Sequence, residues 1–165
     1  EDSHNDEYDG FKNNSSCTNS LIENIIELEW YNNIRVTIID DSIIILRTIE
    51  RTIKKISNNL WSVNTFENAE QFLKNIQQPL NYLDVLIVDQ NMESSGGILK
   101  GTELIQKIYE DYNKQVSFII MSGNDVVCDI PNVNIWGKPL PCNDIIHNTI
   151  TTCVQTYIEE FDTIP

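Results

Sequence analysis

Three short apolar runs in this chain each end on a polar side chain. "IRVTII" (34–39) leads into Asp40 and Asp41, "YLDVLIV" (82–88) into Asp89, and "QVSFIIM" (115–121) into Ser122 and Gly123. Runs of this length, rich in β-branched residues and closed by turn formers, read as strands. Because they are apolar almost throughout instead of alternating, both faces must be covered, as in parallel sheets. "LWSVNTF" (60–66) and the stretch 133–136 within "NVNIW" supply two more strands.

Between the strands the apolar spacing changes to that of helices. Leu46, Ile49, Ile53 and Ile56 form one stripe, and Ala69, Phe72, Leu73 and Ile76 form a second within 67–78. A third helix is expected over 102–112 and a last one over 142–161, striped by Ile146, Ile150, Cys153 and Tyr157. Strands and helices in strict alternation predict an α/β fold, a five-stranded parallel sheet with helices on both faces.

The α/β pattern occupies 34–161. Residues 1–20, rich in Asp, Asn and Ser, read as a flexible segment, and 21–33 contain an accessory or linker helix, "LIENIIELEWY". The start on Glu1 is read as a piece cut from a longer protein. A net charge of -14 argues against nucleic acid or an anionic membrane surface as a partner of this domain. No apolar stretch is long enough to span a bilayer, so a cytoplasmic domain is expected, although the parent protein need not be free of the membrane. The four cysteines form no C-x-x-C pair and only two histidines accompany them, which argues against a zinc site and for reduced thiols.

In open α/β sheets, ligands bind beyond the carboxyl ends of the strands. Collected there are Asp40, Asp41, Asp89, Ser122 and, after the fifth strand, Lys138. Two carboxylates roughly 4 Å apart repel by about 4 kcal/mol at an effective dielectric near 20. A hard divalent cation such as Mg²⁺, which takes carboxylate, carbonyl, water and phosphate oxygens, would offset that repulsion. With an ammonium and a hydroxyl beside it, the cluster becomes an anion trap suited to phosphoryl transfer. Taken singly, an Asp pair after a strand is an ordinary helix cap, a Ser-Gly a turn, and a Lys-Pro a solvated lysine. All of them at strand ends, in one order, is the informative observation.

That order, carried by "IIDDS", "LIVDQNM", "IIMSG" and "WGKPL" over residues 34 to about 161, resembles the receiver domain of two-component response regulators. The resemblance implies flavodoxin-like winding and Asp89 as acceptor of a phosphoryl group from a phosphohistidine on a histidine kinase or histidine phosphotransfer protein. It further implies Mg²⁺ held by Asp40, Asp41, Asp89 and the backbone carbonyl of Asn91. Lys138 and Ser122 would then contact the phosphoryl group, and the amides of Gln90 and Gly123 would face it. Asn91 and Asn124 would tune its lifetime. "DQNM" is similar to receivers of hybrid histidine kinases. Such a domain turns over no external metabolite; it is phosphorylated and dephosphorylated on itself.

The chain departs from the family pattern in three places. Glu93 stands where a proline is usual, and "SSGGILKG" delays the helix-starting Gly101, which predicts a flexible flap beside the site or a neutral insertion. The segment between Ser122 and Lys138 is short, so the fourth helix of the family is expected to shrink to a turn. The aromatic expected three residues before the lysine is replaced by Ile135, with Trp136 on the opposite side of the strand. These departures leave a phosphate-independent interaction domain as an alternative. An Mg²⁺-dependent aspartyl phosphatase is a weaker one, because Asn91 occupies the place of its acid–base carboxylate. His147 reads as a surface or half-buried residue.

Overall fold

The computed structural model describes residue 25 and residues 29–76, 83–111 and 116–162, with side chains as far as 156. Contacts divide the chain into two units, Glu1–Tyr31 and Asn32–Pro165. In the first, residue 25 and residues 29–31 are helical, and the rings of Trp30 and Tyr31 meet edge to face at 6.2 Å. The expected flexible segment at 1–20 and most of the expected helix at 21–33 lie outside the described residues.

The second unit runs β1 (Arg35–Ile39), α1 (Ile43–Ile56), β2 (Ser62–Phe66), α2 (Ala69–Asn75), β3 (Val85–Asp89), α3 (Gly101–Asp111), β4 (Ser117–Ser122), β5 (Asn134–Gly137) and α4 (Asn143–Asp162). The strands form one sheet in the order β2-β1-β3-β4-β5, every pair parallel. This is the five-stranded, flavodoxin-like α/β architecture expected from the sequence.

The apolar runs are buried as their composition requires. β3 is buried at every position, and in β1 and β4 only the first residue is partly exposed. On one face Ile39, Leu86, Val88, Phe118 and Ile120 pack with Ala69 and Phe72 of α2 and Leu104, Ile105 and Ile108 of α3. The alternating residues Val36, Ile38, Ile87, Ile119 and Met121 are buried toward the other face. α1 and α4 pack against each other, and α1 turns Leu46, Ile49 and Ile53 inward. β2 is an edge strand with a largely exposed surface, and Arg35 ties β1 to β3 through a two-pronged pair with Asp84 at 2.7 and 3.0 Å.

Local chemistry sets the helix starts. Ser42 caps α1, its hydroxyl accepting the Ile45 amide, while Lys54 and Lys55 complement the carboxyl end of the helix. Asn68 caps α2 by accepting the Gln71 amide at 2.9 Å. The Lys100 amide donates to Glu103 at 2.8 Å at the start of α3, one half of a capping box.

Between β4 and β5, none of residues 123–133 is helical. Ile130 is buried there and Val126, Cys128 and Val133 are partly buried against the α2–α3 face, so a loop covers part of the surface where a helix was expected to shrink to a turn. Ile135 is 50% exposed and Trp136 only 4%, the alternation expected of neighbouring strand residues. The Trp136 indole N–H has no hydrogen-bond partner among the described residues. α4 buries Ile146, Ile150 and Val154, while Cys153 is half-buried, its thiol pushed up to about 11 by burial. The side chain of Tyr157, expected in the same stripe, lies outside the described residues. His147 is half-buried and stacks on Trp61 at 5.5 Å.

Candidate functional site

Parallel strands that end in register bring their following residues to one edge. Asp40 follows β1, Asp89 closes β3, Ser122 closes β4, and Lys138 follows β5. Asp40 and Asp89 are almost wholly buried, at 1% and 3% exposure, and Asp41 is half-buried. One carboxylate oxygen from each of these three aspartates lies within 4.8 Å of the others. Lys138 bridges two of them, its Nζ 2.6 Å from Asp89 Oδ1 and 3.7 Å from Asp40 Oδ2.

One ammonium does not neutralise three carboxylates, and the two buried ones, Asp40 and Asp89, reflect that. Burial pushes the Asp40 carboxyl up to about 6, reinforced by repulsion from Asp89 and Asp41 and opposed by the Ser42 amide and Lys138. Burial also raises Asp89, against the hydrogen bond and charge of Lys138 and the Asn91 amide. Burial alone would lower the Lys138 ammonium, but its bond to Asp89 outweighs this and holds it above its ordinary range.

Asp40 Oδ1 accepts the Ser42 amide at 2.8 Å, whereas Oδ2 is buried without a hydrogen-bond partner among the described residues. A buried, unsatisfied carboxylate oxygen grouped with two further carboxylates fits a hard divalent cation with oxygen ligands. The donor set contains no thiolate or imidazole, which disfavours soft metals.

The remaining residues expected at the site sort differently. Ser122 is buried, and its hydroxyl accepts the Asn124 amide at 3.2 Å. Gly123 lies against Lys138, at the distance where an added Cβ would just touch the lysine Cβ. The Gln90 amide is committed elsewhere: it donates to the Met121 carbonyl at 3.0 Å in the ladder between β3 and β4. Its side chain pairs with Thr102 at the start of α3. The amide that reaches the Asp89 carboxyl belongs to Asn91, one residue further on. Apolar patterning could not reveal this, because the ladder continues two residues past Val88, the strand's last apolar side chain.

Close packing at this edge requires a glycine. At Gly101 an added Cβ would stand 2.6 Å from the Asp89 carbonyl oxygen, so α3 can approach the strand end only with glycine there. Gly101→Ala is expected to cost about 1–3 kcal/mol in urea unfolding, as an overpacked contact does. Unchanged stability would mean that the Asp89–Gln90 backbone yields freely.

Ser94, Ser95, Gly96 and Gly97, read as a flexible flap or a neutral surface insertion, belong to a segment, 93–99, that is tied down. Glu93–Ser95 form a 3₁₀ turn, and Gly96 reverses the chain at φ 78°. Glu70 Oε1 accepts the amides of Leu99 and Ile98, at 2.9 and 3.0 Å, which hold the Glu70 carboxyl below its ordinary range. Asn68 and Ser95 bond across the gap, and the Ser94 amide donates to Asp41 Oδ2 at 2.9 Å. Composition misled here: Ser and Gly signal a loop, but not whether its amides find acceptors.

Comparison with known proteins agrees with this geometry. No curated protein matches the chain. Among solved structures, a response regulator receiver domain protein from Clostridium thermocellum superposes with a TM-score of 0.63 at 19% identity, over 74% of this chain and 95% of that one. The beryllofluoride-activated receiver domain dimer of NtrC4 gives 0.60 at 19% identity, over 74% and 98%. RcsB from Salmonella enterica, solved on promoter DNA with the same phosphomimetic, gives 0.52 at 26% identity, over 70% and 65%. The family model of the response regulator receiver domain matches residues 36–134, more than half of the chain and the span that carries Asp40, Asp41, Asp89 and Ser122. The chain therefore belongs to the response regulator receiver domain family.

Proposed function

We propose that this receiver domain accepts a phosphoryl group on Asp89 from a phosphohistidine of a histidine kinase or histidine phosphotransfer protein, in an Mg²⁺-dependent reaction. An Asp89 carboxylate oxygen attacks phosphorus, the P–N bond to the donor imidazole breaks, and the imidazole keeps the electron pair. The product is an acyl phosphate on Asp89. Asp40, Asp41, Asp89 and the Asn91 carbonyl would hold Mg²⁺, which would supply positive charge beside the transferring phosphoryl group. Lys138 supplies fixed positive charge on the other side, and the Ser122 hydroxyl a neutral donor. Asn124, bonded to Ser122, and Asn91, bonded to Asp89, are the positions that set how readily water reaches the acyl phosphate.

The observation that carries this reading is a nearly buried carboxylate, 2.6 Å from an ammonium, at the centre of a three-carboxylate cluster. Phosphorylation adds roughly -1.5 to -2 charge at neutral pH. That charge biases the loops at the strand ends, so the domain works as a conformational switch within a larger protein such as a hybrid histidine kinase. It catalyses no turnover beyond its own phosphorylation and dephosphorylation. The net charge of -14 continues to argue against nucleic acid as a direct partner.

Intact-protein mass after incubation with Mg²⁺ and a small acyl phosphate tests the proposal. Wild type is expected to gain one phosphoryl group, and neither chelated protein nor Asp89→Asn should gain any. A second reading, a phosphate-independent interaction domain, is favoured by the non-helical 123–133 and by Ile135 in place of an aromatic. It would take over if a phosphohistidine donor and Mg²⁺ together also left the mass of folded wild type unchanged.

A further inference from the structure

We propose that residues 93–99 are a strap that positions Asp41, and that Glu70, at the far end of the strap, is a positioning residue for the cation site. This inference rests on the Mg²⁺ reading of that site and extends it to residues that never touch the metal.

The strap is anchored at one end and delivers a hydrogen bond at the other. Glu70, in the first turn of α2, receives two consecutive amides, of Ile98 and Leu99, on a single oxygen. Its other oxygen, Oε2, is buried with no partner among the described residues. In the middle, the Ser95 hydroxyl donates to the Glu67 carbonyl at 2.9 Å, and Asn68 Nδ2 donates to the Ser95 carbonyl and hydroxyl at 3.3 Å. Gly97 lies so close that a Cβ would stand 2.7 Å from the Met92 carbonyl oxygen and 3.1 Å from Asn68 Cβ. At the near end the Ser94 amide bonds Asp41 Oδ2.

A carboxylate has two oxygens and about four acceptor sites. With Oδ2 held by a fixed amide, the Asp41 carboxylate has a set orientation and a second oxygen to offer a cation. Outer-shell donors of this kind tune metal affinity without contacting the metal. A loop that was merely tolerated at the surface would have no reason to engage Asp41.

The test is Mg²⁺ titration of the full chain, by calorimetry and by the shifts of the Ser94 and Asn91 amides in ¹H–¹⁵N spectra. Glu70→Ala is expected to weaken Mg²⁺ binding about tenfold. Glu70→Gln, whose amide oxygen still accepts both strap amides, should recover most of that loss. Ser94→Pro deletes the amide that reaches Asp41 while leaving Glu70 in place, and should lose as much as Glu70→Ala. The double variant should be no worse than either single one, because both break the same chain of contacts. Wild-type affinity in folded Glu70→Ala and Ser94→Pro would overturn the strap's role, as would a double variant whose losses add. If Glu70→Ala does not fold, Ser94→Pro alone decides. Wild type that binds no Mg²⁺ would instead overturn the metal reading, and this one with it.

Discussion

Lys138→Ala is expected to slow phosphoryl transfer onto Asp89 by about 10²-fold or more, the usual cost of removing one preorganised charged donor from a reacting anion. The lysine is placed for this by β5: Trp136 anchors the strand's end in the core, and Lys138 reaches across to Asp89 and Asp40. In the resting protein the same ammonium lies close to the carboxylates proposed to hold the cation, and like charges compete for them. Removing it should therefore leave Mg²⁺ affinity unchanged or increase it severalfold, since a repulsion disappears. Slower transfer with equal or tighter Mg²⁺ binding is a split that general damage to the fold would not produce. Rapid-quench labelling with an acyl phosphate, alongside Mg²⁺ titration of the same protein, reads both. Transfer at the wild-type rate would remove Lys138 from the chemistry. Mg²⁺ affinity lost together with transfer would make its role architectural.

That prediction draws on residues whose place was legible in the sequence, and the reason is physical. β3 is buried at every position, so its apolar run had to stop where the sheet's edge met polar chain, and Asp89 marked that point. Asp40, Ser122 and Lys138 were found the same way, because parallel strands in register bring their ends together without any need to know the packing. The helix stripes were legible where one face is fully covered, as for Leu46, Ile49 and Ile53 in α1. They blurred in α4, where Val154 is buried and Cys153 only half-buried. The strap was not legible. Its bonds join Glu70, Asn68 and Glu67 to residues nearly thirty positions later, and Ser94 to Asp41 across more than fifty. Nothing in a Ser-Gly-rich stretch says which acceptors the fold will bring to it. The Gln90 amide was placed at the phosphoryl group for a related reason: a polar residue beyond the end of an apolar run can still belong to the ladder, and only its bond to the Met121 carbonyl reveals it.

Asp40→Asn is expected to stabilise the metal-free protein while destroying its affinity for Mg²⁺. The Asp40 carboxyl sits at about 6 in the folded chain, against about 4 when unfolded. Between these values the folded state holds the proton more tightly, so stability falls as pH rises through the window from about 4 to about 6. Above pH 6 the ionised, buried carboxylate costs on the order of 3 kcal/mol relative to its protonated form. Asp89, raised in the same direction, adds to that slope, whereas Lys138, raised above its ordinary range, loses its contribution only in alkali. An asparagine carries no charge to desolvate, keeps an oxygen for the Ser42 amide, and offers an N–H₂ to the carboxylates beside it. In chelator at pH 7.5 the variant should melt higher than wild type by up to roughly 10 °C, with the gap closing toward pH 4. Adding Mg²⁺ should raise the wild-type midpoint, increasingly so as pH passes 6, and leave the variant where it was. Calorimetric melts from pH 4 to 8, with chelator and with Mg²⁺, measure all of this. A variant less stable than wild type in chelator at pH 7.5 would mean that the Asp40 charge is already compensated inside the protein. In that case the cluster would have no electrostatic need for a cation. The expected result would mean the reverse: the domain keeps a strained anionic site in its resting state, and the cation relieves it.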